Sequence, residues 1–348
     1  SYCYIYHGED DSWESMPFRM CDDLVALLPA KIKRLCNEQS AQPNVVLHGG
    51  EPLLFGVDRL RQLVRALVRE VPNLPICLQT NGTIYNDDLE SLLLEIRDNL
   101  SLSVSVDGPE LENDRHRKDI IGRGSYSRIH KTLVKTAYAG LLENLLLVVD
   151  VGNDPETIFN FISNSGARSA NLILQDGDHI RLPPGKSNLD DSTVGEWLWQ
   201  VFKLYAREHA QFSIGIFDDI VKSMLKSKSG VQFPPATHLS AVLTVDTDGE
   251  IKATDTLRIN ADAIDSMDKY NVYDQELLFA SNAPKFRGQV EATASVPKRC
   301  STCEYLSCCG GGYVQHRYDG HTWDNPSVYC SDYIVLFERI ERSLCTAG

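Results

Sequence analysis

The sequence lacks long apolar runs and an excess of basic residues, and each absence excludes a class of protein. No stretch of about 18 uninterrupted apolar residues occurs, so no segment is predicted to span a membrane. No basic stretch followed by an apolar run suggests a signal peptide. Lys and Arg total 34 against 48 Asp and Glu, giving a formal charge of −14, which argues against a nucleic-acid-binding protein. Such an acidic chain is expected to be cytoplasmic and to act without a membrane.

Cysteine is absent between Cys77 and Cys300, yet six of the ten cysteines lie between Cys300 and Cys345. Ten cysteines in 348 residues are too few for a disulfide scaffold. In a cytosolic protein, clustered thiols more often bind metal. The scattered Cys21, Cys36 and Cys77 are expected to be ordinary small residues of the fold.

The first two hundred residues alternate short apolar runs with helical periodicity. This alternation predicts βαβ units, a parallel sheet and an α/β fold, read as a partial (β/α)6 barrel of the TIM type. The predicted core covers residues 1–210, a bridge 211–238 and a small cysteine-rich domain 239–348, with a hairpin turn at Asp248-Gly249. Strands are predicted at 45–47, 76–78, 100–106, 145–151 and 171–174, and helices near 24–35, 60–67, 89–96, 126–142, 155–163, 194–209, 216–226 and 331–344.

The polar and glycine-rich clusters of this region follow the predicted strands. Gly49 and Gly50 follow the first strand, Asn81 the second, and Asp107 the third. Because the carboxyl ends of parallel strands meet at one edge, the functional site is expected there.

The strongest metal signal is Cys300-x2-Cys303-x5-Cys309, with Cys330 further along the chain. Four thiolates suit one tetrahedral zinc ion or one iron–sulfur cubane, and the spacing leaves both open. Cys308 is a competing ligand. Gly310 to Gly312 directly follow Cys309 and allow the backbone to fold closely around an inorganic core.

This tail resembles the SPASM extension of radical S-adenosylmethionine (SAM) enzymes that modify peptides and proteins. It continues with His316-Arg317-Tyr318 and then Asn325 to Cys330. The resemblance covers nearly the whole chain, and the motif sequences are most similar to those of the FxsB-like, cyclophane-forming peptide maturases. The further matching segments, in the family's order, are Ser1–Tyr4, His48–Pro52, Gln79–Gly82, Ser105–Pro109 and Asp114–Arg117.

The resemblance implies a [4Fe–4S] cluster that binds SAM at an open iron. On this register Cys3 is the third cluster ligand, and the first two lie before Ser1. Tyr2 would pack near the adenine, and Gly49 and Gly50 would let the backbone approach the cofactor closely.

Four further residues are implied to bind SAM. Glu51 would accept a hydrogen bond from the methionine ammonium, although capping its own turn is the simpler structural explanation. Asn81 belongs to the second strand-end motif. Ser105 would hold the ribose, and Arg117 the methionine carboxylate, unless it is only a solvated surface residue.

The resemblance also implies one auxiliary [4Fe–4S] cluster, bound by Cys300, Cys303, Cys309 and Cys330. Relatives with two such clusters have cysteines where Thr254 and Tyr313 stand here. Asp255 resembles the aspartate that serves as a base in sulfatase-maturing relatives, although turn hydrogen bonding is an alternative role. Asp218-Asp219 is a rival base, with helix capping as its alternative.

The implied function is an oxidoreductase-type maturase that joins an aromatic ring of a ribosomally made precursor peptide to a side-chain carbon. Its expected partners are that precursor peptide and an external electron donor of the flavodoxin or ferredoxin type. Two alternatives stay open. The chain could be a maturase that forms a thioether or oxidises a side chain, or a zinc-stabilised, non-catalytic partner for a peptide.

Overall fold

A six-stranded parallel sheet forms the centre of the fold, with its strands adjacent in chain order. The computed structural model describes residues 11–39, 43–208, 211–228, 242–252, 257, 269–283, 291–292 and 295–346. Every neighbouring pair in this sheet is parallel. The predicted α/β fold is therefore confirmed. The strands are β1 Val45–Leu47, β2 Ile76–Thr80, β3 Leu100–Ser105, β4 Leu142–Val148, β5 Ser169–Ile173 and β6 Ser213–Ile214.

Helices connect these strands, because parallel neighbours need a long crossover. The sequence of the connection at Val57–Glu70 explains its helical form, because its buried leucines and valine recur at positions 60, 63, 64 and 67, on one face of an α-helix. The α-helices up to the end of the sheet are α1 Asp22–Gln39, α2 Val57–Glu70, α3 Asp87–Glu95, α4 Glu110–His116, α5 Tyr126–Tyr138, α6 Pro155–Asn164, α7 Thr193–Arg207 and α8 Gly215–Lys228. Short 3-10 helices occupy Ser12–Ser15 and Pro52–Phe55.

The two faces of the sheet differ in character. In β5, Ala170 and Leu172 are buried in the hydrophobic core, whereas Asn171 and Ile173 on the opposite face are exposed. The face that carries Asn171 is also polar at Ser103 of β3. Its hydroxyl lies 3.6 Å from the Cys77 thiol and accepts a hydrogen bond from the Asn144 amide at 3.4 Å. The face of the sheet opposite the hydrophobic core therefore carries polar groups at this level.

The boundary between α5 and β4 differs from the sequence expectation. The helix predicted to reach residue 142 ends at Tyr138, and the strand predicted from residue 145 begins at Leu142. Gly140 lies between them with a φ of +66°, a left-handed conformation that ends the helix early.

A second, antiparallel sheet forms beyond the first one. The hairpin predicted at Asp248-Gly249 is present, and a further strand, which the sequence analysis did not predict, pairs with its second strand. This sheet packs on α1, where Leu24 and Leu28 meet Ile251 and Val272. Its strands are β7 Thr244–Val245, β8 Glu250–Lys252 and β9 Tyr270–Asn271, and the helix α9 Leu277–Asn282 follows.

The cysteine-rich segment ends in a long helix that packs on α7. Leu336, Phe337 and Ile340 of this last helix share the hydrophobic core with Trp197 and Val201 of α7. The elements of the segment are the 3-10 helices Lys298–Cys300 and Val314–Arg317 and the α-helices α10 Leu306–Cys309 and α11 Cys330–Thr346.

Two buried contacts fix the position of α11. A Cβ on Gly195 would lie 2.3 Å from the Asp332 carbonyl oxygen, so glycine permits the close approach of the helices. The Lys186 ammonium lies 2.5 Å from the Asp332 carboxylate, and both side chains are 0% exposed.

The sheet continues past the predicted core boundary at residue 210, because Ser213–Ile214 supplies its sixth strand. In the part of the chain that the structure describes, no helix has the length and apolar character needed to cross a bilayer.

Candidate functional site

The Glu51 carboxylate joins the carboxyl ends of β1 and β2. Its Oε1 accepts hydrogen bonds from the Leu53 N–H at 3.0 Å and the Thr80 hydroxyl at 2.8 Å. Its Oε2 accepts one from the Asn81 N–H at 2.7 Å. Burial raises the pKa of this carboxyl group. Glu51 thus caps its own turn and also fixes the next strand end, and its contact with a ligand ammonium stays a prediction.

The backbone beside Glu51 is open. Gly49 has a φ of +128°, and no described atom lies within 4 Å of the position that a Cβ would take there. Gly50 is exposed. The Asn81 side chain accepts hydrogen bonds from the Thr83 N–H at 2.9 Å and the Thr83 hydroxyl at 2.7 Å, which shapes the turn after β2. The structure therefore brings together the first two predicted strand-end motifs.

The third motif holds an arginine in a fork that the sequence analysis did not foresee. Arg117 Nε donates to Asp107 Oδ2 at 2.8 Å, and Nη2 donates to Oδ1 at 3.1 Å. The Asp107 side chain is 1% exposed and the Arg117 side chain 19%, so Arg117 is not a solvated surface residue. Asp107 Oδ1 also accepts the Val148 N–H at 3.1 Å, which ties β3 to β4. Ser105 ends β3, half-buried.

Three predicted residues lie outside the described part of the chain. They are Tyr2 and Cys3 of the N-terminal motif and the proposed base Asp255, and Thr254 lies outside it as well. Their roles remain predictions.

The four predicted auxiliary ligands line one pocket. Cys300 ends a 3-10 helix, Cys309 ends α10, Cys330 begins α11, and Cys303 lies between the first two. All four are free thiols. The competing Cys308 instead belongs to the hydrophobic core.

The three glycines after Cys309 shape this pocket. Gly310, Gly311 and Gly312 have φ values of +62°, +91° and +76°, which side chains other than glycine rarely adopt. Burial raises the pKa of the Cys309 thiol, and the Gly311 N–H opposes this rise. A Cβ on Gly312 would lie 2.6 Å from the Ser327 Cβ. The backbone therefore closes tightly around the sulfur atoms.

Burial makes the thiolate forms unfavourable without a cation. It raises the pKa of Cys300 and Cys330, and it raises that of Cys309 to about 12, with the neighbouring thiols contributing. Because metal ligation requires thiolates, a bound metal centre would supply the missing positive charge.

A buried arginine lies beside the same sulfur atoms. Arg317 is 0% exposed, and its guanidinium donates to the carbonyl oxygens of Ala292, Ser295 and Trp323 and to the Ser295 hydroxyl. Burial lowers its pKa, while Cys300, Asp324 and Cys309 favour its charged form. A cationic group hydrogen-bonded to neutral acceptors fits a pocket that holds a negatively charged thiolate-bound centre.

The donor set suits a thiolate-bound metal centre. Four cysteines line one pocket, and thiolates are the ligands of [4Fe–4S] clusters as well as of structural zinc. The residues present therefore fit a [4Fe–4S] cluster, and metal analysis separates it from zinc.

The cysteine-rich segment attaches at the carboxyl end of β5. The Tyr329 hydroxyl donates to the Gln175 carbonyl at 2.7 Å, and the His179 N–H donates to the Tyr318 carbonyl at 2.9 Å. His316 is 2% exposed, and its Nε2 lies 3.6 Å from Asp176 Oδ1. Within the described residues neither His316 ring nitrogen has a hydrogen-bond partner.

The rival base Asp218 is already occupied by protein donors. Its carboxylate accepts hydrogen bonds from the Tyr205 hydroxyl at 2.8 Å and the Ser213 hydroxyl at 2.5 Å. Asp219 instead lies near Tyr313 and contributes, after burial, to raising the pKa of that phenol. Tyr313 packs edge-on against His316, with ring centroids 5.8 Å apart.

Comparison with known proteins adds to this geometry. Residues 1–160 match the model of the radical SAM superfamily. The chain is 25% identical to a cysteine-type anaerobic sulfatase-maturating enzyme of Clostridium perfringens, across 97% of this chain and 91% of that protein. It is 24% identical to a serine-type enzyme of the same name from Bacteroides thetaiotaomicron, across 97% of this chain and 85% of that protein.

Solved structures show the same fold. The structure described as native anSMEcpe with bound AdoMet and the Cp18Cys peptide superposes with a TM-score of 0.80 at 20% identity, covering 100% of this chain and 94% of the other. Streptococcus suis SuiB bound to its precursor peptide SuiA gives a TM-score of 0.61 at 13% identity, covering 87% of this chain and 69% of the other.

Proposed function

We propose that this chain, whose residues 1–160 match the model of the radical SAM superfamily, is a radical SAM maturase of a ribosomally made precursor peptide. The observation that carries the proposal is the position of the four-thiol pocket. The segment with this pocket is attached at the carboxyl end of β5, the edge of the sheet where Glu51 and Asn81 meet. A thiol pocket at this edge, together with the SAM-binding cluster proposed at Cys3, would suit an enzyme that oxidises a bound side chain.

The residues of the strand ends divide the work of binding SAM. Gly49 and Gly50 leave room for it, Glu51 and Asn81 fix the turn beside it, and Arg117 is held at the next strand end. Bound SAM and the cluster at Cys3 would supply a 5′-deoxyadenosyl radical on reduction, and the cluster at the second pocket an electron acceptor. The electron for that reduction would come from a flavodoxin- or ferredoxin-type donor.

The proposed product is a cyclophane, in which an aromatic ring carbon is bonded to a side-chain carbon of a nearby residue. Forming this C–C bond removes two hydrogens from the peptide. We assign Asp255 the proton released when the ring becomes aromatic again. The segment from Cys300 to Cys330 resembles the cyclophane-forming maturases, and this resemblance supports the product. The tyrosine at position 313, where relatives with a second auxiliary cluster have a cysteine, supports it as well.

Protein side-chain oxidation is the second candidate. The relatives named as sulfatase-maturating enzymes match the chain across 97% of its length, which favours it. We prefer the crosslink because Thr254 and Tyr313 leave one auxiliary cluster here, bound by Cys300, Cys303, Cys309 and Cys330.

Co-expression with candidate precursor peptides from small open reading frames beside its gene tests the proposal. We expect the peptide mass to fall by two hydrogens, and fragmentation should place the loss on a segment that contains an aromatic residue. A Cys303→Ala variant is the control, since it removes a ligand of the auxiliary pocket while leaving the strand-end motifs intact. An unchanged peptide mass with the fully iron-loaded enzyme would refute the proposal.

Metal analysis separates the enzyme from a zinc-stabilised binding protein. After anaerobic purification of the full-length chain we expect iron and sulfide, and SAM cleavage under reductant. Zinc without iron, and no cleavage, would establish the non-catalytic alternative.

A further inference from the structure

Four titratable side chains form a polar cluster at the carboxyl edge of the sheet, beside its last two strands. Asp176 follows β5, and Asp219 lies near the start of α8, which follows β6. Tyr313 and His316 come from the cysteine-rich segment, and their rings pack edge-on with centroids 5.8 Å apart. His316 Nε2 lies 3.6 Å from Asp176 Oδ1, and Asp219 acts on the Tyr313 phenol. The cluster therefore connects the βα part of the chain to the cysteine-rich segment.

The polar cluster is accessible from one side. The Tyr313 side is open, because this residue is 57% exposed, while burial still raises the pKa of its phenol. Its ring therefore borders a recess instead of a convex surface. Asp176 and Asp219 are partly exposed, whereas His316 is 2% exposed and closes the recess from behind. A ligand at this edge can reach both carboxylates and the face of the tyrosine ring.

The two carboxylates lack a cationic side chain. Among the described residues, no Lys or Arg forms an ion pair with Asp176 or Asp219. Lys222 lies one turn further along α8 from Asp219 and makes no ion pair with it. Arg317, the neighbour of His316 in the chain, donates to backbone carbonyl oxygens instead. Two carboxylates beside one aromatic ring make this recess electronegative, which favours a positively charged ligand.

The buried His316 is a second, independent indication of a ligand. Neither of its ring nitrogens has a hydrogen-bond partner among the described residues, and such buried groups are rare in folded proteins. The 3.6 Å between its Nε2 and Asp176 Oδ1 is too long for a hydrogen bond, yet one donor nitrogen can lie about 2.9 Å from both atoms. A cationic N–H group placed there would bind an imidazole nitrogen and a carboxylate at once.

We infer that the polar cluster binds a lysine or arginine side chain of the precursor peptide. Asp176 and Asp219 would balance its charge, His316 would accept one of its N–H groups, and the Tyr313 ring would pack against the cation. An uncharged side chain would leave both carboxylates without a partner, so the site would select the peptide by charge. This inference rests on the proposed function, because it names a residue class that the substrate must contain near the modified residues.

Binding of three matched peptides tests the inference. The probes are fluorescently labelled peptides of the sequence Gly-Ser-Trp-Gly-X-Ser-Gly, in which X is lysine, arginine or norleucine. Norleucine keeps the four-carbon stem of lysine and has no charge. Anisotropy with the iron-loaded, full-length enzyme should show the lysine and arginine peptides binding at least about fivefold more tightly than the norleucine peptide at low salt. Added salt should reduce this preference.

Variants of the polar cluster should reduce the preference. Asp176→Asn with Asp219→Asn removes both charges at nearly unchanged shape, so the Kd ratio between the norleucine and lysine peptides should fall close to one. Tyr313→Leu should lower the ratio, whereas Tyr313→Phe keeps the ring and should keep most of it. His316→Phe removes the acceptor nitrogen without breaking a hydrogen bond of the described residues, and it should lower the ratio as well. Iron per chain and the thermal unfolding midpoint show whether each variant is folded.

A matched control comes from the opposite edge of the sheet. Asp98 and Glu208 are exposed and lie in the connections that lead to the amino ends of β3 and β6. Asp98→Asn with Glu208→Gln therefore makes the same charge change away from the polar cluster. This control should keep the wild-type preference for the charged peptides.

The outcomes separate this inference from the proposed function. An enzyme that prefers the charged peptides through the polar cluster but modifies no precursor would refute the function and leave the binding site standing. An enzyme that modifies its precursor but binds the three probes equally would overturn the inference. An equal loss of preference in the control variant would also overturn it, and so would a wild-type enzyme that binds none of the probes.

Discussion

Removing the Asp332 carboxylate should destabilise the chain by several kcal/mol. Its Oδ2 lies 2.5 Å from the Lys186 ammonium, with both side chains 0% exposed, and its Oδ1 accepts the Gly195 N–H at 2.8 Å. Breaking a buried ion pair from one side costs about 3–5 kcal/mol, and leaving a buried N–H without its acceptor costs about 1–3 kcal/mol. We therefore expect Asp332→Ala to lower the free energy of unfolding by about 4–8 kcal/mol.

The partner variants show how much of this loss comes from the charge left behind. Lys186 also donates to the Asp191 carbonyl at 2.5 Å, so its ammonium would stay buried in Asp332→Ala. Lys186→Met with Asp332→Leu removes both charges at similar volume, and such replacements are often nearly neutral. The double variant should therefore be more stable than the sum of the single losses predicts, by at least about 2 kcal/mol.

Urea unfolding at neutral pH, followed by the fluorescence of Trp197 and Trp199 on α7, measures these energies. Asp332→Asn is a control that keeps an acceptor for the Gly195 N–H and removes only the charge. Because Cys330 begins the helix that carries Asp332, we also expect iron per chain to fall in Asp332→Ala. A loss below about 1 kcal/mol, the range of an exposed pair, would refute the reasoning.

Four further predictions follow from individual contacts. The hydrogen bond at 3.1 Å between Cys21 and the Tyr273 hydroxyl lowers the pKa of the exposed Cys21 thiol. The pH midpoint of Cys21 alkylation should therefore rise in Tyr273→Phe, and an unchanged midpoint would contradict the contact. Burial raises the pKa of Glu51 above its ordinary 4.5, so protonation of Glu51 stabilises the folded chain below pH 4.5, and this stabilisation is lost as pH rises through the pKa of the folded state. In urea unfolding, the wild type should therefore lose stability relative to Glu51→Gln over this pH range. Parallel pH profiles of the two proteins would count against the prediction. Arg317→Gln removes a positive charge beside the cysteine pocket, so the reduction potential of the predicted auxiliary cluster should be more negative than in the wild type. A reductive titration followed by electron paramagnetic resonance measures this potential. A potential equal to that of the wild type would show that the charge lies too far from the cluster to affect it. Gly195→Ala should lower the free energy of unfolding by about 2 kcal/mol or more, because the new Cβ would lie 2.3 Å from the Asp332 carbonyl oxygen, although alanine gains about 1 kcal/mol of helix propensity. Ala206→Gly, on the exposed side of α7, measures the effect of helix propensity alone. A Gly195→Ala variant that is more stable than the wild type would disprove the close approach.

Local patterns predicted the elements of the fold better than they predicted the contacts of the site. The leucines of α2 and the hairpin at Asp248-Gly249 are set by neighbours a few residues away, so periodicity and turn chemistry are sufficient for them. The strand β9 contains Tyr270 and Asn271 only, and so short a strand carries no alternation that a sequence could display.

The candidate site could be located from sequence because its motifs follow strands, but its pairings could not. Nothing in the spacing of Asp107 and Arg117 shows that the guanidinium fork is bound by that carboxylate. Lys186 and Asp332 are separated by 146 positions, and only the packing of α11 on α7 brings them together. Arg317 stood within a recognised tail, yet its burial against the carbonyl oxygens before Cys300 depends on the folded backbone.

The cysteine-rich segment functions as part of the core instead of as an appended module. Its last helix supplies Leu336 and Phe337 to the hydrophobic core that α7 closes, so removing the helix would expose that core to water. The same helix starts at Cys330, and the buried Lys186 holds its first turn. The position of Cys330, a predicted cluster ligand, is therefore fixed by contacts with the βα part of the chain. It follows that a chain ending before residue 295 would lose core stability as well as the auxiliary pocket.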